Sequence, residues 1–244
     1  MRGIRRLANA YNPESFSNRM RAKRFRLFER LAQPFARPLR IIDLGGTNEF
    51  WENRGWADRD DVQITTVNLF AEQRRHANIE PRVGDATDLI DFADQSYDVA
   101  FSNSVIEHLF TLDAQVAMAR EVRRVARAYW IQTPNYWFPM EPHFHVPGWQ
   151  WLPESMRVWT IQRTRCGWCG PCADPALARE VVREVRLMTR HELQRAFPEA
   201  KIISERFAGL VKSWIVVGGS AFLESPAVQE TTARGMVTTR AEPR

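Results

Sequence analysis

The stretch Ile41-Ile42-Asp43-Leu44-Gly45-Gly46-Thr47-Asn48-Glu49-Phe50-Trp51 constrains the fold more than any other part of this chain. The run from Arg40 to Asp43 lies between Pro38 and a glycine pair and is too brief for a helix, so it reads as a buried parallel strand. Gly45 and Gly46 lack a Cβ, which allows a sharp turn and a close approach of a ligand to the main chain. Thr47 or Asn48 can then cap a short helix, with Glu49 near its positive end. Strand, glycine turn and helix open a nucleotide-binding α/β unit, whose ligands bind beyond the carboxyl ends of the strands. A dinucleotide fingerprint starting at Gly45 fails at Thr47 and Phe50, and no phosphate-binding GxxxxGK[ST] loop occurs. An acid at the strand end followed by glycines suits a cationic cofactor that lacks phosphate.

Further strands follow in order. Val62 to Leu69 alternates and is rich in β-branched residues, ending at Asn68, where such folds commonly place a carboxylate for the ribose hydroxyls. Asn68 would bind ribose less well, or with help from Glu72. Pro81 to Ala86 reads as a third strand ending at Asp85, and Ser96 to Phe101 as a fourth, followed directly by Ser102-Asn103-Ser104-Val105-Ile106-Glu107-His108-Leu109. Asp113 reads as the cap of a helix, Ala128 to Thr133 as the fifth strand, and His191 to Phe197 as a helix. Lys201 to Phe207 and Ser213 to Val217 read as a closing antiparallel hairpin.

The first stretch resembles the opening motif of class I S-adenosylmethionine-dependent methyltransferases, with Asp43 and Gly45 matching and Thr47 and Glu49 standing where further glycines would be. The run YDVAFSNSVIEHL resembles the motif after the fourth strand in that family, in its methyltransferase type 11-like, bacterial small-molecule branch. The resemblance spans about residues 40 to 135. It implies an α/β, Rossmann-like, mostly parallel seven-stranded sheet with a closing antiparallel strand and helices on both faces, and S-adenosyl-L-methionine as cofactor. It further implies that Asp43, Gly45 and Gly46 face the methionine part, Asn68 the ribose, Asp85 and Ala86 the adenine, and Asn103 and Ser104 the sulfonium end.

Charge is unevenly placed. The net charge is +5, yet residues 1–40 hold eleven Arg or Lys against Glu14 and Glu29, so the remainder is net acidic. Phe16, Met20, Leu27, Phe28, Leu31 and Phe35 recur at helical spacing, so Ser15 to Ala32 is expected to dock as an amphipathic helix with its arginines in solvent. The expected organisation is a basic helical arm over 1–38, a methyltransferase domain over 39–222 with an insertion at 135–188, and a disordered tail over 223–244. No apolar run reaches the ~18 residues of a membrane span, which points to a cytoplasmic protein.

The insertion should decide the acceptor. Residues 135–151 carry six aromatics and three prolines. Tyr136, Trp137, Phe138, Glu141, Trp149 and Trp151 are the candidate substrate contacts, forming a lid for an apolar or ring-like acceptor; the same aromatics could instead glue the insertion to the domain. His108, His143 and His145 are candidate bases, with Glu107 and Glu141 as orienting carboxylates. Glu141, His143 and His145, or Cys166, Cys169 and Cys172, could ligate a metal, but neither set is taken as a metal site. The expected activity is methyl transfer to a small-molecule, lipid or glycan acceptor. The alternatives are an RNA methyltransferase gripping nucleic acid with the basic arm, and a non-catalytic binding protein that keeps the fold.

Overall fold

The computed structural model describes residues 16–167, 169–233 and 237–239. Its centre is a sheet ordered β3-β2-β1-β4-β5-β7-β6-β8, built from Leu39–Leu44 (β1), Val62–Asn68 (β2), Ile79–Val83 (β3), Tyr97–Asn103 (β4), Ala126–Pro134 (β5), Lys201–Phe207 (β6), Leu210–Gly218 (β7) and Val237–Thr239 (β8). Neighbouring pairs among β1 to β5 are parallel, and β7 runs antiparallel to both β5 and β6. The seven-stranded sheet with one antiparallel strand is thus present. The short β8 adds an eighth strand, parallel to β6.

Helix α1 (Phe16–Ala32) lays Phe25, Phe28 and Leu31 on one face of the sheet, against Trp51, Trp56, Phe101 and Trp130. Phe28 meets the rings of Phe101 at 4.9 Å and Trp130 at 5.7 Å, in edge-to-face geometry. Helix α2 (Asn48–Glu52) follows the glycine turn and is capped by Thr47, whose hydroxyl accepts from Phe50 N. On the opposite face, α3 (Leu112–Val125) presents Met118, Ala119, Val122 and Val125 at helical spacing. Thr111 caps it, and Asp113 lies in its first turn, because the β-region backbone at Thr111 is what aims a side chain at the free N–H groups.

The insertion adds α4 (Glu154–Arg163) and α5 (Pro175–Arg183), and α6 (Arg190–Ala196) follows it behind a Thr189–Glu192 capping box. Phe144, Trp149, Val158, Ile161, Cys166, Ala178 and Val182 form a core of the insertion's own. Its base is pinned where Asn135 pairs with Met188.

Two expectations change. The tail expected to be disordered over 223–244 holds α8 (Pro226–Ala233) and β8, reached through α7 (Ser220–Leu223), because buried Val228 joins Phe222 in the core beneath α1; residues 234–236 and 240–244 lie outside the described residues. The arginines of α1 are not all in solvent. Arg24 is buried and forms an ion pair with buried Glu205 at 3.7 Å. Residues 1–15 of the basic arm lie outside the described residues.

Candidate active site

Sequence neighbours build the first half of the site. Gly45 turns with φ +77°, a region that costs an L side chain strain, and a Cβ there would come within 2.4 Å of Val105. At Gly46 a Cβ would meet the Asp43 carboxylate at 1.8 Å. The turn is therefore closed around the acid. Asp43 is buried, accepts a 2.8 Å bond from Trp51 Nε1, and has its pKa pushed up to about 8 by burial, with the indole bond opposing and Glu72 adding. A carboxyl so placed is neutral near pH 7 and acts as a peg under the turn rather than as an exposed ligand.

Asn68 and Asp85 flank the turn. Asn68 Nδ2 donates to the Gly46 carbonyl at 2.7 Å, and Gly84 N donates to the Asn68 carbonyl at 2.9 Å, so the three strand tips are laced together. Beside them, Asn48 Nδ2 donates to Glu72 and to the Gln73 carbonyl, while Asn48 Oδ1 is buried without a hydrogen-bond partner. Asp85 is exposed, and its Oδ1 accepts from Thr87 N and Oγ1, both at 2.8 Å. Ala86 is half-buried next to it. Leu69 and Phe70 follow Asn68 with 67% and 82% exposure, an apolar pair at a strand tip that the sequence reading passed over. The signal was available, since two apolar residues continue the strand beyond its last polar position.

Asn103 and Ser104 end β4. Ser104 adopts φ +60° and donates to Gln132 Oε1 at 2.9 Å. Asn103 lines a small cavity of about 10 Å³ with Arg21, Arg24, Phe25, Phe50, Arg54, Phe101 and Trp130. Burial lowers the pKa of Arg21 and Arg54, and each is lowered further by Arg24. Arg24 Nη1 and Arg54 Nε are buried without hydrogen-bond partners. This cationic lining was also missed, although Arg21, Arg24, Phe28 and Leu31 share one helical face in the sequence.

Distant segments build the second half. After Ser104 a single 3-10 turn, Ile106–His108, buries Glu107 at 0% exposure. Thr133 donates to Glu107 Oε2 at 3.0 Å, Arg186 N donates to the Glu107 carbonyl at 2.7 Å, and Oε1 has no partner. Burial pushes this carboxyl up to about 7. The insertion brings His143 against His108, with ring centroids 4.8 Å apart and near-perpendicular planes. Glu141 is buried and holds His143 in place, its Oε1 2.6 Å from the ring Nδ1 and its Oε2 accepting from His143 N and Phe144 N. Burial alone would lower the His143 pKa, but the bond and charge of Glu141 outweigh it and the net shift is upward. His108 goes down to about 4, through burial and then the charge of His143.

The remaining candidates divide. Trp137 and Trp151 are exposed, at 63% and 45%, with ring centroids 6.3 Å apart, and Tyr136 packs edge-on to Trp137 at 4.9 Å. Phe138 is half-buried, and its carbonyl accepts from Gln150, which also holds Tyr136. Trp149 is not placed to touch an acceptor: it is buried and stacks on Phe144 at 4.5 Å inside the insertion core. Glu141 likewise spends its oxygens inside the loop. His145 sits at φ +54° with its N bonded to the Glu141 carbonyl, and it is not gathered with His108 and His143. The three cysteines are free, and Cys166 and Cys169 close a tight turn through their backbones.

Comparison with known proteins relates part of this chain to a family. The methyltransferase domain family matches residues 48–128. Two uncharacterised proteins of Mycobacterium tuberculosis are each 40% identical over 55 residues, which is 22% of this chain and 19% of theirs, so the chain spans about a fifth of the curated relatives it matches. Among solved structures, a possible exported protein from Bordetella parapertussis shares 14% identity at a TM-score of 0.50, covering 90% of this chain and 79% of that one. The Burkholderia thailandensis 1,6-didemethyltoxoflavin-N1-methyltransferase, with bound S-adenosylhomocysteine, shares 13% identity at 0.48, covering 81% and 76%. The matched segment carries a methyltransferase domain, and the cofactor it implies is S-adenosyl-L-methionine. The residues present fit that group, since Asn48, two residues beyond the glycine pair, keeps a buried Oδ1 without a hydrogen-bond partner, and Asp85 stands exposed after β3.

Proposed function

We propose that this chain, carrying a methyltransferase domain of the S-adenosylmethionine-dependent class, methylates a small-molecule, lipid or glycan acceptor with an apolar or ring-like body. The observation that carries the reading is the meeting of His143, from the insertion, with His108, from the turn after β4. S-adenosyl-L-methionine supplies a methyl group activated on a sulfonium, so the protein's task is to hold the acceptor in line and exclude water. Gly45, Gly46, Asn68, Asp85, Ala86, Asn103 and Ser104 would hold the cofactor, and the arginines around Asn103 suit its carboxylate. Leu69 and Phe70 offer an apolar surface next to the ribose position.

The acceptor would lie against the insertion. Exposed Trp137 and Trp151 offer ring faces, and Met156 and Trp159, one turn apart on α4, add exposed apolar surface. The acceptor's nucleophilic atom would be brought to the His108–His143 pair, with Glu141 fixing the His143 ring. The RNA alternative has less support, because Arg24 faces inward to Glu205 rather than outward to phosphates.

The test is label transfer from S-adenosyl-L-methionine carrying a radioactive methyl group into separated metabolite, lipid, glycan and RNA fractions. Label in one of the first three, lost in His143→Ala, is expected. Label in RNA alone would install the nucleic-acid reading. Calorimetry without binding at millimolar cofactor would leave a non-catalytic protein.

A further inference from the structure

Glu107, His108 and His143 are, among the described residues, the group of side chains whose ligand atoms converge, all lying within 4.8 Å of one another. They come from two segments far apart in sequence, so local turn geometry alone does not account for the convergence. Each member already has an orienting partner and one donor to spare. His143 Nδ1 is held by Glu141, which leaves Nε2. The Glu184 backbone faces one nitrogen of the His108 ring, which leaves the other. Glu107 Oε2 takes the Thr133 hydroxyl, which leaves Oε1 fully buried and without a hydrogen-bond partner. An imidazole fixed through one nitrogen by a carboxylate or carbonyl, with the second nitrogen free, is the arrangement found behind metal ligands.

We propose that Glu107, His108 and His143 bind a divalent transition-metal ion where the insertion meets the turn after β4, the acceptor side of the proposed methyltransferase site. Two imidazoles and one carboxylate favour zinc, iron(II), cobalt(II) or manganese(II) over magnesium and calcium, which prefer oxygen. Three protein ligands leave positions open for water or an acceptor oxygen, as in catalytic rather than structural sites. Bonds of about 2.1 Å place neighbouring donors roughly 3–3.5 Å apart, so the group closes by about an ångström on binding. The ion would satisfy the orphaned Glu107 oxygen, whose burial otherwise costs free energy with nothing in return. It would polarise an acceptor hydroxyl and lower its pKa so that the proton passes to solvent water, a role that replaces proton removal by His143. The sequence reading assigned no metal and paired His143 with Glu141 and His145. Glu141 instead stands behind His143.

Metal binding is measured on the full chain without S-adenosyl-L-methionine, so that it stands or falls apart from methyl transfer. Purified protein is stripped with chelator, and zinc and cobalt(II) are titrated by calorimetry and by the visible absorption of cobalt. One ion per chain is expected. His143→Ala, His108→Ala and Glu107→Gln should each weaken affinity at least about tenfold, and Glu141→Gln by about 10–100-fold through the freed His143 ring. Cys166→Ser, Cys169→Ser and Cys172→Ser should leave it unchanged. If Glu107→Gln does not fold, the half-buried histidine variants carry the test, with cofactor binding as the check on folding. No binding at millimolar zinc, or binding lost in the cysteine variants and kept in the histidine ones, would overturn the site. Cofactor binding that persists without metal would leave the methyltransferase reading intact.

Discussion

The two halves of the candidate site bury acids in opposite ways. Under the glycine turn, Asp43 receives the Trp51 indole only eight residues away and is packed against Gly46. At the insertion, Glu107 depends on Thr133 for one oxygen and has nothing for the other. Both carboxyls are raised by burial. A local peg can be completed by its own chain neighbours; a group assembled from distant segments is left with valence that a ligand can use.

The comparison can be broken from the Asp43 side most forcefully. A folded-state pKa of about 8 against an ordinary 3.8 means that the native state holds a proton the unfolded chain releases between those values. Stability is therefore lost as pH rises from about 4 to 8, by on the order of 5 kcal/mol from this group in full. Asp43→Asn, which keeps an acceptor for the indole, should flatten that slope in urea melts across the window; an unchanged slope would mean the carboxyl is ionised. Next in size, Trp149→Ala should cost about 3–5 kcal/mol within the insertion, where Trp149 stacks on Phe144. Hydrogen exchange should show 144–182 loosened and β1 to β5 unmoved; uniform loss of protection would deny the insertion a core of its own.

Gly46→Ala should cost about 1–3 kcal/mol and abolish cofactor binding, since the added methyl meets a carboxyl already fixed by Trp51. Full binding in that variant would move the cofactor away from the turn. The smallest expected effect on stability is at Trp137→Ala, within about 0.5 kcal/mol, because the ring is 63% exposed. Its consequence should appear in the KM for the acceptor, with kcat little changed, and an unaltered KM would remove this ring from acceptor binding.

The parallel sheet was legible because its signals are short-range. Short β-branched or apolar runs, Gly45-Gly46 and the polar run after β4 each announce an element within about ten residues, and the strands fall within a few residues of the expected bounds. The tail was misjudged because Val228 stands among polar and small residues in the sequence and becomes core only when α1 lies over it. Trp149 was misread for a related reason: an aromatic-rich loop looks the same in sequence whether a ring faces a ligand or the loop's own core. Trp137 and Trp151 face out, and only the packing against Phe144 separates them from Trp149.

The succession of strands along the chain, the sharp turn at the glycine pair and the kind of cofactor that suits it follow from the sequence alone, because backbone turns and strand periods are set by neighbouring residues. What the fold in space decided is which polar groups meet. His143 reaches His108 across thirty-five positions, Arg24 finds Glu205 rather than water, and Glu107 is sealed between Thr133 and Arg186. Burial and convergence are properties of surfaces brought together by the collapsed chain, and no local pattern of residues records which surfaces those will be.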